Sequence, residues 1–139
     1  MYGVCRVAKT MSKSQPRKIG VITQEVISTL KLSIVPGTPI YIGQSNITHM
    51  LKKHPSAYIK YGSYIHDIVN HPDYVGINPG DNSIEYVKEF KVDNNYIKVA
   101  VRVSSGGKFY ARSLYVLNSS RVKNFITNGT LKQLTNPSE

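Results

Sequence analysis

Two imidazoles and two ammonium groups crowd one short stretch, Thr48-His49-Met50-Leu51-Lys52-Lys53-His54-Pro55. Histidine is the natural general acid and base near neutral pH, and lysine can hold a phosphate. Read as a helix, the stretch puts His49 and Lys53 on one face, because residues four apart are neighbours. His54 falls on the apolar stripe of Ile47, Met50 and Leu51, so it points inward or across a sheet edge. There it is either a catalytic imidazole or a core histidine facing the helix dipole, and spacing leaves both open. His49 and His54 are five apart, as are His66 and His71, which is not the i, i+4 spacing that places two imidazoles on one metal. No Glu or Cys lies beside His49 or His54 to complete a zinc site, so neither a metal nor another cofactor is expected.

A second constellation sits on alternating runs. In 96–103, Ile97, Val99, Val101 and Val103 alternate with Tyr96, Lys98, Ala100 and Arg102, giving a core face and a basic face. In 83–92, Lys88 shares a face with Ile84, Tyr86, Phe90 and Val92. In 108–117, Arg112 shares a face with Tyr110, Leu114 and Val116. An unpaired charge is costly to bury. Lys88 and Arg112 must therefore reach a cleft, a bound anion, the sheet edge, or a carboxylate such as Asp73, Glu85 or Glu89. Strict alternation sends Ser113 to the face opposite Arg112. No Gly-x-Ser-x-Gly elbow surrounds Ser113, and the chain has neither a Walker loop nor a Rossmann glycine pattern.

The elements that must position these groups read as α+β. Thr23 caps a helix carrying Val26, Ile27 and Leu30, Pro36-Gly37-Thr38-Pro39 is a turn, and Ile40-Tyr41-Ile42 is a short strand. Ser45 caps the histidine helix over 46–54, which Pro55 stops. A third helix covers 63–70 with Ile65, Ile68 and Val69 inward, and 74–82 is a loop. Strands 83–92, 96–103 and 108–117 are joined by hairpin-length connections. Ser119 or Ser120 caps a last helix with Val122, Phe125 and Ile126 inward, and Gly129 follows as its stop. The expected fold is a single α+β domain over 18–134, with helices packed on an antiparallel sheet of three to four strands. A basic tail or linker precedes it over 1–17, and a polar tail follows over 135–139.

The 139 residues suffice for one domain with a real core, and the single cysteine, Cys5, permits no intrachain disulfide. No apolar run reaches the ~20 residues of a membrane helix and the N-terminus has no secretory pattern, so no membrane partner is expected and the reading is cytosolic, with delivery as the C-terminal part of a larger protein left open. The net charge of +10 suits a polyanion, and 10 tyrosines among the cations suit stacking on single-stranded bases. The same charges and rings also fit a basic protein whose tyrosines simply occupy strands.

Four short motifs stand in a familiar order. They are His49-Met50-Leu51-Lys52-Lys53-His54-Pro55, then His71-Pro72-Asp73-Tyr74-Val75, then Ile84-Glu85-Tyr86-Val87-Lys88-Glu89-Phe90, then Arg112-Ser113-Leu114-Tyr115. Over residues 19–132 this order resembles the phage-borne branch of the barnase–EndoU–colicin–RelE superfamily, the PBECR nuclease-fold domains. The resemblance implies a metal-independent ribonuclease fold found in toxins and phage effectors, with its cleft where the histidine helix meets the sheet. It leaves a glutamate of the barnase kind unplaced, and Ser113 stands where threonine is more usual.

RNA carries its own nucleophile, so a base, an acid and cations suffice to cut it. His49 and His54 are the candidate base and acid, with Lys53, Lys88 and Arg112 for the phosphate and Ser113 or Tyr115 to bond a phosphate oxygen or place the ribose. Lys52, Lys98 and Arg102 add contacts to nucleic acid, and Tyr74 or Tyr110 offers a ring for a base. The expected substrate is RNA, tRNA included, and an acidic immunity or antitoxin protein is the expected inhibitor. The alternative is a nuclease fold without turnover that binds nucleic acid or protein.

Overall fold

A computed structural model describes residues 15–134; of the tails expected over 1–17 and 135–139, residues 1–14, which include Cys5, and 135–139 lie outside the described residues. Strand β1 (Arg17–Ile22) opens the chain and takes in the last residue of the expected N-terminal tail. Helix α1 (Gln24–Leu30) follows, capped as expected by Thr23, whose hydroxyl accepts the Val26 N–H at 3.3 Å. Strand β2 (Thr38–Ile42) leads into α2 (Gln44–Lys53). The cap of α2 is Gly43 rather than Ser45, because the Asn46 side chain accepts the Gly43 N–H at 2.8 Å and starts the helix earlier. Pro55 does stop α2, yet it also occupies the first turn of α3 (Pro55–Tyr61), where its missing N–H costs nothing. A 3₁₀ turn (Gly62–Tyr64) joins α3 to α4 (Ile65–Asn70).

Strands β3 (Tyr74–Ile77), β4 (Ile84–Phe90), β5 (Asn95–Val103) and β6 (Phe109–Leu117) come next. Helix α5 (Ser119–Thr127) and strand β7 (Leu131–Gln133) end the fold. Asn118, and neither serine after it, caps α5 by accepting the Arg121 N–H at 2.9 Å. Among the described residues the sheet has seven strands in the order β1-β2-β6-β5-β4-β3-β7, all antiparallel except β2 beside β6. The expected α+β class holds, but three to four strands is too few. β3 and β7 are only 4 and 3 residues long, and a register break between Lys18 and Gly20 interrupts β1, so little alternation marks them.

Successive strand residues point to opposite faces, and the two faces have different fates. Tyr86, Val99, Val101 and Leu114 enter the main core with Val26, Met50 and Ile68 from the helices. On the other face Val87 and Leu117 pack with Val122 of α5 and Leu131 of β7. Phe125 joins that second cluster, while Ile126 is exposed. Among the described residues no other helix packs over the rest of that face, where Glu85, Lys98 and Tyr115 line a cavity. Among the described residues no helix is long and apolar enough to cross a membrane.

Candidate active-site cleft

The uncovered face is where the ionisable side chains collect. Register places Glu85 opposite Ala100 and Ala100 opposite Ser113; one step along, Val87 faces Lys98 and Lys98 faces Tyr115. Glu85 and Lys98 are thus diagonal neighbours, close enough for long side chains to meet. Lys98 Nζ lies 3.1 Å from Glu85 Oε2 and 4.9 Å from the centre of the Tyr115 ring. Asn78 Nδ2 donates to the same carboxylate oxygen at 3.2 Å. Both bonds fall on Oε2, so Oε1 has no hydrogen-bond partner among the described residues. Glu85 is 5% exposed, a carboxylate at the floor of a cleft rather than on a rim.

A break in the β5–β6 register completes the floor. Ala100 pairs with Ser113 but Val101 pairs with Ala111, so Arg112 is the extra residue of a β-bulge. Ala111 and Leu114 both remain in the core, and Arg112 and Ser113 between them both line the cleft. This corrects the expectation that Arg112 shares a face with Leu114 and Val116 and that Ser113 faces away from it. The bulge re-aims the guanidinium, which forms no ion pair or hydrogen bond to another side chain among the described residues.

The walls come from α2 and from loop 78–82. Strand β2 pairs with β6 only at Phe109 and Tyr110, so the rest of that β6 edge is open to α2. The helix lies along it with Met50 in the main core and His49 exposed at the cleft. Leu51, expected to anchor α2, is 41% exposed. On the far side the loop braces itself: Asn78 Oδ1 accepts the Gly80 N–H, and Asp81 accepts the Ser83 N–H. Asp81 also reaches Arg102 at 3.4 Å. These bonds, the Ser83 N–H first and Arg102 after it, hold the Asp81 carboxyl below the usual carboxylate range. The cavity so enclosed is about 280 Å³. Among the described residues no three of His, Cys, Asp and Glu group as a metal centre would require.

Of the residues singled out from sequence, His49, Arg112, Ser113, Lys98, Arg102 and Tyr115 line this one cavity. Tyr110 lines a second cavity that shares His49 and Arg112 with the first. His54 stands one ring behind: it meets Tyr115 edge-on, with centroids 4.6 Å apart, at the joint between α2 and α3. Lys52 and Lys53 are exposed on the last turn of α2 and line neither cavity. Lys88 shares the Tyr86 face, away from the cleft, and its ammonium donates to the His71 carbonyl at 2.8 Å. Tyr74 is half-buried against the second cluster and lines neither cavity. Sequence reasoning missed Glu85 as a site residue, together with Asn78, Asp81 and Ser83. The available signal was parity: Glu85 alternates with the apolar Ile84 and Tyr86 and so leaves the core face of its strand, while its meeting with Lys98 is set by the β4–β5 register.

An uncovered sheet face gathering a carboxylate, an imidazole and several cations is the arrangement of a small α+β protein of nuclease-fold type. Residues 17–124 match the family described as phage-Barnase-EndoU-ColicinE5/D-RelE like nuclease3, and the chain belongs to that family. No curated protein and no solved structure matches the chain.

Proposed function

We propose that the chain is a metal-independent endoribonuclease, a toxin or phage effector, that works in this cleft. The observation carrying the proposal is the convergence of Glu85, His49, Lys98, Arg102 and Arg112 on one cavity in a chain of this family. A carboxylate accepts a proton at neutral pH and an imidazolium gives one, so the two roles divide between Glu85 and His49. Glu85 Oε1 takes the proton of the 2′-OH. The 2′ oxygen attacks phosphorus, the bond to the 5′ oxygen breaks, and His49 protonates the departing oxygen. The products are a 2′,3′-cyclic phosphate and a free 5′-OH. Arg112, Lys98 and Arg102 offset the charge that builds on the phosphoryl oxygens, and Ser113 donates a hydrogen bond to one of them. Tyr115 holds Lys98 toward the phosphate, and His54 supports Tyr115 from behind.

The chemistry requires a 2′-OH, so RNA is the substrate, tRNA included, and DNA is not. The test is incubation with RNA and with the DNA of the same sequence, in EDTA, followed by analysis of product ends. Cyclic-phosphate ends from RNA and intact DNA are expected. Cleavage of both, or cleavage only after adding a divalent metal, would sink the mechanism. Intact RNA carrying a shifted band would make the chain a binding module instead. An acidic immunity protein is the inhibitor such a cleft fits, because its carboxylates would occupy the phosphate positions.

A further inference from the structure

Beside the catalytic cavity lies a larger one of about 630 Å³, and the two meet at His49 and Arg112. Their linings differ in kind. The smaller holds two carboxylates, Glu85 and Asp81, whereas the larger holds none and is lined by neutral hydrogen-bonding side chains, Gln44, Asn46 and Ser104, and the ring of Tyr110. Amides and hydroxyls can meet the donor and acceptor edge of an unstacked base, and an aromatic ring can carry its face. Tyr41 braces the Tyr110 ring, with centroids 6.0 Å apart. Gln44 is exposed, held among the described residues by only a 3.4 Å bond to Thr48, and so can turn toward a ligand. A pocket of about 300–1,000 Å³ is the ordinary size for a small ligand, so the larger cavity has room for a nucleoside.

We propose that the larger cavity is the base-recognition subsite for the nucleotide adjoining the scissile phosphate, with Tyr110 as stacking platform and Gln44 as a reader of the base edge. The proposal rests on the ribonuclease reading of the neighbouring cleft. A base enters this cavity only when it is out of a duplex, so the substrate class is RNA that is single-stranded or looped at the cut.

The experiment uses 2′-O-methyl RNA oligonucleotides, which bind but cannot be cut, in four base compositions, with affinity read by fluorescence anisotropy. The wild type should rank the four bases unequally. Tyr110→Ala should bind about tenfold or more weakly, and Tyr110→Phe should restore the affinity, since stacking needs the ring and not the hydroxyl. Gln44→Ala should flatten the ranking of the bases. Thermal midpoints measured on the same samples separate lost binding from lost fold. Equal binding by wild type and Tyr110→Ala, a ranking that neither variant alters, or no binding by the wild type would each overturn the subsite. Cleavage of unmodified RNA is measured in parallel. A wild type that never cleaves but loses binding on Tyr110→Ala ends the ribonuclease reading and keeps the subsite. A wild type that cleaves, with Tyr110→Ala matching it in binding and in cut pattern, does the reverse.

Discussion

In the proposed mechanism Glu85 is the residue on which the chemistry turns. Glu85→Gln keeps an oxygen for Lys98 and Asn78 but no longer takes a proton. RNA cleavage should fall by about 10²–10⁴-fold, the usual loss for a general base, read against the folded fraction of the same sample. The two histidines should separate. His49 is exposed, so His49→Ala should abolish cleavage and shift stability by no more than about 0.5 kcal/mol. His54 packs on Tyr115, so His54→Ala should also lower the thermal midpoint, an aromatic pair contributing about 0.5–1.5 kcal/mol beyond its area. A His49→Ala protein that cleaves at the parent rate would remove the imidazole from the mechanism. Tyr86 poses a different residue-scale question. Its hydroxyl is buried with no partner among the described residues, and burial pushes the phenol well above its ordinary range. Tyr86→Phe deletes an unsatisfied group and should raise stability by up to about 1–3 kcal/mol in a denaturant melt. A lower midpoint would mean that the hydroxyl has a partner after all.

At the scale of elements, the tie between α3 and the β4–β5 turn is held by polar groups. The Tyr61 hydroxyl donates to Asp93 at 2.8 Å, and Lys60 stands 3.4 Å from the same carboxylate. The Tyr61 hydrogen bond, and Lys60 after it, hold the Asp93 carboxyl below its ordinary value. A depressed carboxylate contributes stability above its unfolded pKa and loses it as pH falls through the folded value. Wild type should therefore shed this contribution below about pH 4. Asp93→Asn should melt lower at neutral pH and lose less on acidification; identical acid limbs from pH 7 to 3 would refute the tie. The β3–β7 pairing is also specified by one position. A Cβ on Gly76 would run into the Thr130 carbonyl, so Gly76→Ala must push β7 outward. A loss of about 1–3 kcal/mol is expected, with faster amide exchange at Leu131–Gln133 than elsewhere in the sheet.

For the whole molecule, the net charge of +10 acts at long range. Each phosphate neutralised releases counterions, so RNA binding should fall steeply between low and physiological salt. Titrations of a non-cleavable RNA at several salt concentrations give the slope, and a flat one would count against a phosphate partner. The local field is more measured than the total suggests. Glu85 and Asp81 take up Lys98 and Arg102 respectively, and the unpaired cation at the junction of the two cavities is Arg112 among the described residues. Arg112→Ala should therefore cost more affinity than Arg102→Ala, although both remove one positive charge.

The sequence by itself determined the α+β class, the three central strands, the Thr23 cap, the histidine helix and its stop at Pro55. Each rests on a periodicity or a cap that acts over a few residues. It also determined that Lys98 and Arg102 share a face, because strand alternation needs no knowledge of neighbours. Tertiary structure alone decided the rest. Strand β7 exists because β3, distant in sequence, satisfies its backbone groups, and such a partner leaves no local trace. The Arg112 bulge is a mismatch between two strands and is invisible in either one, so alternation assigned Arg112 and Ser113 to opposite faces when both line the cleft. Lys88 and Glu85 lie on opposite sides of the sheet for a related reason. A charge on the core face found a backbone carbonyl, while the carboxylate one register step from Lys98 found the cleft, and only the pairing of β4 with β5 says which is which.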